Sequence, residues 1–295
     1  FGRNIMRTNE STQWMVVPQN ESWPGTYRPI YAGQLVGLEG IPSPAHLRFK
    51  PYTIGGLTDS SAQEKPLLLN AGLDAKYGIS SNLTLDLTAN TDFAQVEVDN
   101  QQINLDRFNL FFPEKRPFFL ENAGLFTVNN AGPASGRNFG QTELFFSRRI
   151  GISDTGGQIP ILTGARLSGK LNESTTVGFL NMQTESLNGI ASANNFSVAR
   201  LRRELPNRSS IGGIFVNRQA TGAQARPNDY NRSYAVDGRW GIGQNGTVQG
   251  FVGKTQTPGL TGRDHAMNFS GTYDSEVWRL ITSYQENGED FNPEV

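Results

Sequence analysis

The chain has 295 residues, a formal net charge of −1 and no cysteine. The near-neutral charge argues against a nucleic-acid partner, and the lack of cysteine excludes disulfides, zinc–thiolate sites and cysteine nucleophiles. Only 36% of the residues are hydrophobic, while glycine (33 residues) and aromatic residues (10%) are plentiful. No apolar run is long enough for a membrane-spanning helix, so the composition favours an all-β chain.

Residues 1–44 differ in composition from the rest of the chain, because they are rich in tryptophan and proline. No apolar stretch follows the arginines near the start, so the sequence shows no signal peptide. We interpret residues 1–44 as a linker or the tail of an upstream carbohydrate-binding-like module. Residues 45–295 then form the main domain, in which HLRFKPYTIGG (46–56) is the first strand or leads into it.

From residue 67 onward, apolar and polar side chains alternate along most of the chain. Leu73, Ala75 and Tyr77 alternate with Asp74 and Lys76, and the same pattern recurs in residues 83–93, 161–171 and 233–242. A period of two is typical of β-strands with one apolar and one polar face. The turn at 244–246 contains Asn-Gly, a strong hairpin signal. The pattern predicts an antiparallel meander of about ten strands, each roughly ten residues long.

Two architectures fit this pattern. One is a soluble β-sandwich or barrel with an apolar interior, and the other is an antiparallel transmembrane β-barrel of outer-membrane type, whose apolar face contacts lipid. Charges within the predicted strands suit a wet lumen: Asp74, Lys76, Asp86, Arg166, Lys170, Asp237 and Arg239. Aromatic residues near strand ends are typical of interfacial girdles: Tyr77, Phe93, Trp240, Tyr273, Trp278 and Tyr284. The strand length also suits a tilted crossing of a bilayer, so we favour the transmembrane barrel.

A long insert at residues 94–142 interrupts the meander. It contains FFPEKRPFFLE (111–121), in which paired phenylalanines and two prolines bracket three charges. The prolines stiffen a turn and the phenylalanines anchor it in apolar surroundings, so we predict an inward-folded or plug-like charged segment. Residues 143–152, ELFFSRRIGI, are expected to return to a strand.

The stretch 91–126, followed by LFFSRRIGI (144–152), closely resembles a bacterial family, the domain of unknown function 5916. The resemblance is carried by Asn90, Asp92, Phe93, Gln95, Val96, Glu97, Asp99, Asn104, Leu105, 111–116, Phe118, Phe119, Glu121, Phe126 and 146–151. It covers residues 45–295 and implies an outer-membrane β-barrel of a Gram-negative bacterium, usually placed after a carbohydrate-binding family 9-like domain. The last residues resemble a segment that family members follow with more barrel strands, which implies an incomplete barrel in this chain.

An acidic stretch in and beside the insert supplies the candidate chemistry. Asp92, Glu97 and Asp99 are the catalytic candidates, because paired carboxylates can hydrolyse glycosides. The same residues are the candidate Ca²⁺ ligands, since that ion takes hard oxygen donors, although the spacing is not that of an EF-hand. The competing interpretation is a binding or structural charge network of Asp106, Arg107, Glu114, Lys115, Arg116, Glu121, Arg148 and Arg149. We favour the network, in which charges of FFPEKRPFFLE meet the acidic stretch and the Arg148–Arg149 pair.

The sequence therefore predicts an outer-membrane β-barrel that binds or passes a carbohydrate-related ligand, or that anchors a surface module. One alternative is an envelope hydrolase acting on glycans through acidic residues, and another is a structural subunit of a larger outer-membrane assembly. The expected partners are outer-membrane lipid, a glycan and other envelope proteins, with no nucleic acid. No cofactor is expected apart from Ca²⁺.

Overall fold

The computed structural model describes residues 2–5, 7, 10–13, 36–37, 46–57, 67–91, 114–128, 142–153, 158–187, 189 and 191–295. The described chain is all-β, with one antiparallel eleven-stranded sheet and a separate two-stranded hairpin. The hairpin pairs β1 (Gly2–Ile5) with β2 (Glu10–Gln13).

The large sheet is a meander in which each strand pairs with its neighbours in the sequence. Its first strands are β3 (Leu47–Leu57), β4 (Leu67–Ser80), β5 (Leu83–Ala89), β6 (Ile161–Lys170) and β7 (Thr175–Thr184). They are followed by β8 (Ala193–Leu205), β9 (Ser209–Thr221), β10 (Tyr230–Ile242), β11 (Gly246–Gln256), β12 (His265–Asp274) and β13 (Arg279–Asn287). Within the described residues no pairing joins β3 to β13, so the sheet has two free edges.

The connections differ between the two ends of the sheet. Short turns at 81–82, 171–174, 206–208, 243–245 and 275–278 join strands at one end. Asn207 and Arg208 both adopt a positive φ of 58° in one of these turns, as tight hairpin turns require. The connections at the other end are longer, and the longest one, between β5 and β6, contains the helical segments.

Helical structure is limited to three short pieces in the described part of the chain. They are α1 (Pro117–Leu120) and two 3-10 helices, Ala123–Phe126 and Ser147–Arg149. None of the described helices has the length and apolar character needed to cross a membrane.

The two faces of the large sheet have opposite chemistry. On the outer face, large apolar side chains are exposed, including Leu87 (44%), Phe179 (44%) and Val236 (60%). Further members of this face are Leu73, Tyr77, Leu201, Ile211, Phe215, Tyr234, Trp240, Ile242, Val248, Val252, Phe269, Tyr273, Leu280 and Tyr284. On the opposite, covered face, charged residues such as Asp86 and Arg166 are buried. The outer face is therefore apolar and exposed, and the covered face carries buried charges beside apolar side chains, unlike a soluble sheet with one polar, solvated face.

The core lies between the covered face and three segments that pack on it, 114–128, 142–150 and 288–295, called here the covering segments. Phe119, Phe126, Ile150 and Val295 from these segments join Leu180, Met182, Val198, Ile214 and Val216 of the sheet in one buried cluster. The last residues are held by hydrogen bonds as well, because Asn231 Nδ2 donates to Asn292 O at 2.8 Å.

One prediction from the sequence needs correction and two agree with the structure. The described sheet has eleven strands, close to the predicted ten, and HLRFKPYTIGG (46–56) overlaps β3 (Leu47–Leu57). The strand expected at 143–152 is wrong, because this segment contains a 3-10 helix and only the isolated bridge Ile152–Gln158. Its apolar alternation serves to pack Leu144 and Ile150 into the core from a covering segment.

Candidate functional site

The segment 114–128 carries the charged motif onto the covered face. Pro117 occupies the start of α1, where its missing N–H costs no helical hydrogen bond. After α1, Asn122 adopts a positive φ of 56°, which turns the chain into the 3-10 helix Ala123–Phe126. Phe119 and Phe126 are both 5% exposed and anchor the segment in the core. These contacts hold residues 114–128 against the covered face of the sheet.

Glu114 and Arg116 form a two-pronged ion pair, called here the Glu114–Arg116 clamp. Arg116 donates from Nε to Glu114 Oε1 at 2.9 Å and from Nη2 to Glu114 Oε2 at 2.8 Å. The same guanidinium donates to the backbone carbonyls of Ser147 and Ile150, each at 2.7 Å. It also stacks over the ring of Phe119, 4.2 Å from its centroid. The clamp thus joins the covering segments 114–128 and 142–150, since Arg116 and Ser147 are 31 residues apart in the chain.

The environment of Glu114 favours its ionised form. Burial by itself would raise the pKa of Glu114, but hydrogen bonds and charge from Arg116, together with the Ser147 hydroxyl, hold the pKa below its usual range. The Ser147 hydroxyl donates to Glu114 Oε2 at 2.8 Å, and the backbone N–H groups of Lys115 and Arg116 donate to Oε1 at 3.0 Å. A carboxylate held in this way is a structural anion rather than a general acid.

A second charge network ties the segment to strands β4, β5 and β6. Arg166 is 2% exposed and donates to Asp86 Oδ2 from Nη2 at 2.8 Å and from Nε at 3.2 Å. Its Nη1 donates to the backbone carbonyls of Phe118 and Glu121 in the segment. Lys76 lies 3.5 Å from Asp86 and donates a hydrogen bond to the Glu121 carboxylate. This bond from Lys76 lowers the pKa of Glu121.

A third ion pair lies further along the covered face. Arg200 on β8 and Asp237 on β10 make two parallel hydrogen bonds across β9, one of them from Nη2 to Oδ2 at 2.8 Å. The pair passes over Gly212, where an added Cβ would lie 2.7 Å from Arg200 Nη1 and 2.9 Å from Asp237 Oδ1. A side chain at position 212 would therefore displace the ends of the Arg200 and Asp237 side chains.

A small cavity lies between the 3-10 helix Ala123–Phe126 and strands β7 and β8. Its volume is about 200 Å³, and its walls are mixed polar and apolar. The lining residues include Gly124, Thr127, Thr176, Arg200, Arg202 and Glu204. Two hydroxyls, two guanidinium groups and a carboxylate thus face one enclosed volume, which suits a small ligand with several hydrogen-bonding groups.

The structure places only some of the candidate site residues predicted from the sequence in these charge networks. Glu114 and Arg116 form the clamp, and Glu121 joins the second network. Arg148 and Arg149 lie in the 3-10 helix Ser147–Arg149, and Arg149 Nη1 donates to Pro293 O at 2.7 Å. Lys115 donates its backbone N–H to Glu114. The remaining members fall outside the described residues: Asp92, Glu97, Asp99, Asp106 and Arg107.

The sequence identifies Lys76, Asp86, Arg166 and Asp237 only as charged residues within predicted strands, and it does not single out Arg200. The available signal was register, because Asp86 lies directly opposite Arg166 on the neighbouring strand. Among the residues that the structure describes, no cluster of His, Asp and Glu could hold a metal ion. The Ca²⁺ candidates Asp92, Glu97 and Asp99 lie in the part that it does not describe.

Comparisons with known proteins give one match. Residues 43–220, more than half of the chain, match the model of a family described as Domain of unknown function (DUF5916). The searches of curated proteins and of solved structures give no match.

The Arg116→Ala substitution tests the clamp. It leaves Glu114 buried without its cation and removes the donors to the Ser147 and Ile150 carbonyls, so we expect the protein to lose about 3–5 kcal/mol of stability. Urea unfolding of the purified chain measures the loss. Arg203→Ala, at an exposed position of β8, is the matched control and should change the stability by less than about 1 kcal/mol. Equal losses in the two variants would contradict a clamp.

The clamp also predicts a pH dependence. The pKa of Glu114 is depressed in the folded protein, so its contribution is present above about pH 4.5 and is lost as the pH falls through the folded pKa. Glu114→Gln should therefore be less stable than the unmodified chain at about pH 6, and the difference should shrink towards about pH 3. Urea midpoints across this range measure it, with the exposed Glu276→Gln as control. A constant difference at all pH values would show that Glu114 is not held as an anion.

Proposed function

We propose that this chain, which belongs to the DUF5916 family, a domain of unknown function, spans the outer membrane of a Gram-negative bacterium as a β-barrel. We also propose that its covered face binds a small, carbohydrate-related ligand. The observation that carries this proposal is the exposed apolar outer face of the sheet. Soluble monomers rarely expose contiguous apolar surface on this scale, whereas lipid requires it. The partner of this face is outer-membrane lipid.

The strands and their connections support a membrane crossing. Strands β6 to β12 have 10 to 13 residues, and about 9–11 residues suffice for a tilted crossing. Short turns gather at one end of the sheet and longer connections at the other, as in outer-membrane barrels. In this proposal the free edges of β3 and β13 pair with further strands, because an open sheet edge is not tolerated in hydrocarbon.

The covered face supports binding or anchoring rather than open passage. The covering segments pack against it through a buried core and through the ion pairs of Glu121 with Lys76 and of Glu294 with Arg218, and in this proposal they form an internal plug. The cavity of about 200 Å³ between this plug and β7–β8 is the proposed ligand site. Its hydroxyl, guanidinium and carboxylate groups can exchange hydrogen bonds with the hydroxyls of a sugar.

The described carboxylates on the covered face favour a binder over a hydrolase. Glu114, Asp86, Glu121 and Asp237 are each held by an arginine or a lysine, and none of these four is a free acid or base. Hydrolysis of a glycoside would need two carboxylates converging on an open site. The hydrolase alternative therefore depends on Asp92, Glu97 and Asp99, which lie outside the described residues.

Val236→Asp tests the membrane proposal. Val236 is 60% exposed in the middle of β10, and a charge there would face hydrocarbon, so we expect a loss of folded protein in the outer-membrane fraction. Cell fractionation and heat-modifiable gel migration measure it. Val277→Asp is the matched control, because Val277 is 82% exposed in the turn between β12 and β13. Normal folding of Val236→Asp in a membrane-free fraction would refute a lipid-facing outer face.

Gly124→Leu tests the ligand site. An added Cβ at Gly124 has no atom within 4 Å, so the larger side chain fills the cavity without displacing the backbone. With glucose, galactose and N-acetylglucosamine as probes, isothermal titration of the unmodified chain should give binding that Gly124→Leu abolishes. Thr176→Val, which removes one hydroxyl at constant size, should weaken binding about tenfold. Binding of a probe that is equal in all three proteins would place the ligand elsewhere.

A further inference from the structure

A second depression lies on the outer face, on the opposite side of the sheet from the ligand cavity. It is open and shallow, has a volume of about 700 Å³, and extends over strands β8 to β12. Ala199 and Gly213 form its floor, and Leu201, Phe215, Val236 and Val252 form its walls. An open groove with apolar walls fits an elongated apolar chain better than a compact polar molecule.

The depression exists because position 213 is a glycine. Gly213 lies in register between Leu201 on β8 and Val236 on β10, so two bulky side chains stand on either side of an empty position. Nothing inside the protein requires this glycine, since an added Cβ would meet only Ala235 O, at an ordinary 3.7 Å. The backbone does not require it either, because Gly213 has no positive φ. The empty volume is therefore available to an external occupant.

One end of the depression is polar and positively charged. Phe215, Tyr234, Lys254 and His265 stand in register across four strands, and the Lys254 side chain is 63% exposed. Arg232, one step further along β10, stacks on Tyr230 and donates to Asn217 Oδ1 at 3.3 Å. Among the described residues Arg232 has no carboxylate partner.

Acidic groups also stand at this end, but they are engaged. Asp264 lies 3.4 Å from Lys254, and Glu286 binds Arg263 at 3.0 Å and lies 3.4 Å from His265. From this end towards the short turns, the outer faces of β9 to β12 carry no charged residue. The surface is thus amphipathic along the strands: it is apolar towards the short turns and cationic at the end near Lys254 and Arg232.

We propose that this depression binds a membrane lipid whose headgroup carries a phosphate. One acyl chain lies over Gly213 between Leu201 and Val236, and the phosphate contacts Lys254 and Arg232. Charge complementarity selects an anionic headgroup, because among the described residues Arg232 has no carboxylate partner and Lys254 has only one, Asp264, at 3.4 Å. This inference rests on the proposed function, since only a membrane-embedded outer face meets lipid.

Native mass spectrometry of the purified full chain in detergent tests the site, with phosphatidylglycerol and diacylglycerol as the two probes. The unmodified chain should retain phosphatidylglycerol in preference to diacylglycerol. Gly213→Leu fills the groove and displaces roughly two methylenes, so retention of phosphatidylglycerol should weaken about tenfold. Lys254→Gln and Arg232→Gln should reduce the preference for the phosphate-bearing lipid.

Gly238→Leu is the matched control, because Gly238 lies on the same face of β10 outside the depression. An added Cβ there meets only Ser210 O at 3.5 Å, so the variant should fold and retain lipid normally. Equal retention of phosphatidylglycerol in Gly213→Leu and Gly238→Leu would overturn the lipid site. A protein dimer that is detected in the unmodified chain and is lost only in Gly213→Leu would also overturn it, because a second copy of the chain would then occupy the depression. If these variants are folded in the membrane fraction, either of these results excludes the lipid site but not the proposed function. If every variant is absent from the membrane fraction, the proposed function is excluded as well.

Discussion

The hydrogen-bond demand of buried arginine organises the interior of this protein. A guanidinium presents five donors and stays charged, so it is stable away from water only when acceptors surround it. Arg166 donates to the Asp86 carboxylate and to the carbonyls of Phe118 and Glu121. In the same way, Arg116 donates to the Glu114 carboxylate and to the carbonyls of Ser147 and Ile150. These carbonyls belong to irregular segments that have no neighbouring strand. Each arginine therefore supplies buried donors to these carbonyls, and in doing so it holds the covering segments in place.

The same demand explains why the two faces of the sheet are inverted. A strand sends alternate side chains to opposite faces, so charges gathered on one face leave the apolar residues on the other. On β5, Asp86 and Thr88 are buried while Leu87 is 44% exposed. In a soluble sandwich this arrangement would expose the larger hydrophobic surface to water, which opposes folding. A lipid environment removes that cost, and the buried ion pairs then hold the interior together.

Local pattern predicted most of the strands but little of the interior. Period-two alternation located β4, β5, β10 and the Asn245-Gly246 turn, because each depends on neighbouring residues alone. The partner of Asp86 is Arg166, 80 residues away in sequence, and only the strand register places the two together. The sequence predicts a strand at 143–152 because apolar residues that pack against a core from an irregular segment, such as Leu144 and Ile150, can alternate with polar residues as they do in a strand. The FFPEKRPFFLE motif was predicted as an anchored turn, but the pairing of Glu114 with Arg116 inside the motif needed three-dimensional geometry.

Two adjacent glycines on β9 show how closely the faces are coupled. Gly212 faces inward, where a side chain would displace the ends of the Arg200 and Asp237 side chains. Gly213 faces outward, where an added Cβ would meet only Ala235 O at 3.7 Å. In the sequence the two residues are equivalent, and composition cannot separate a glycine beside an ion pair from one that leaves a surface hollow. Because a sheet is only one strand thick, a single residue step along β9 passes from the chemistry of the interior to that of the exposed apolar surface.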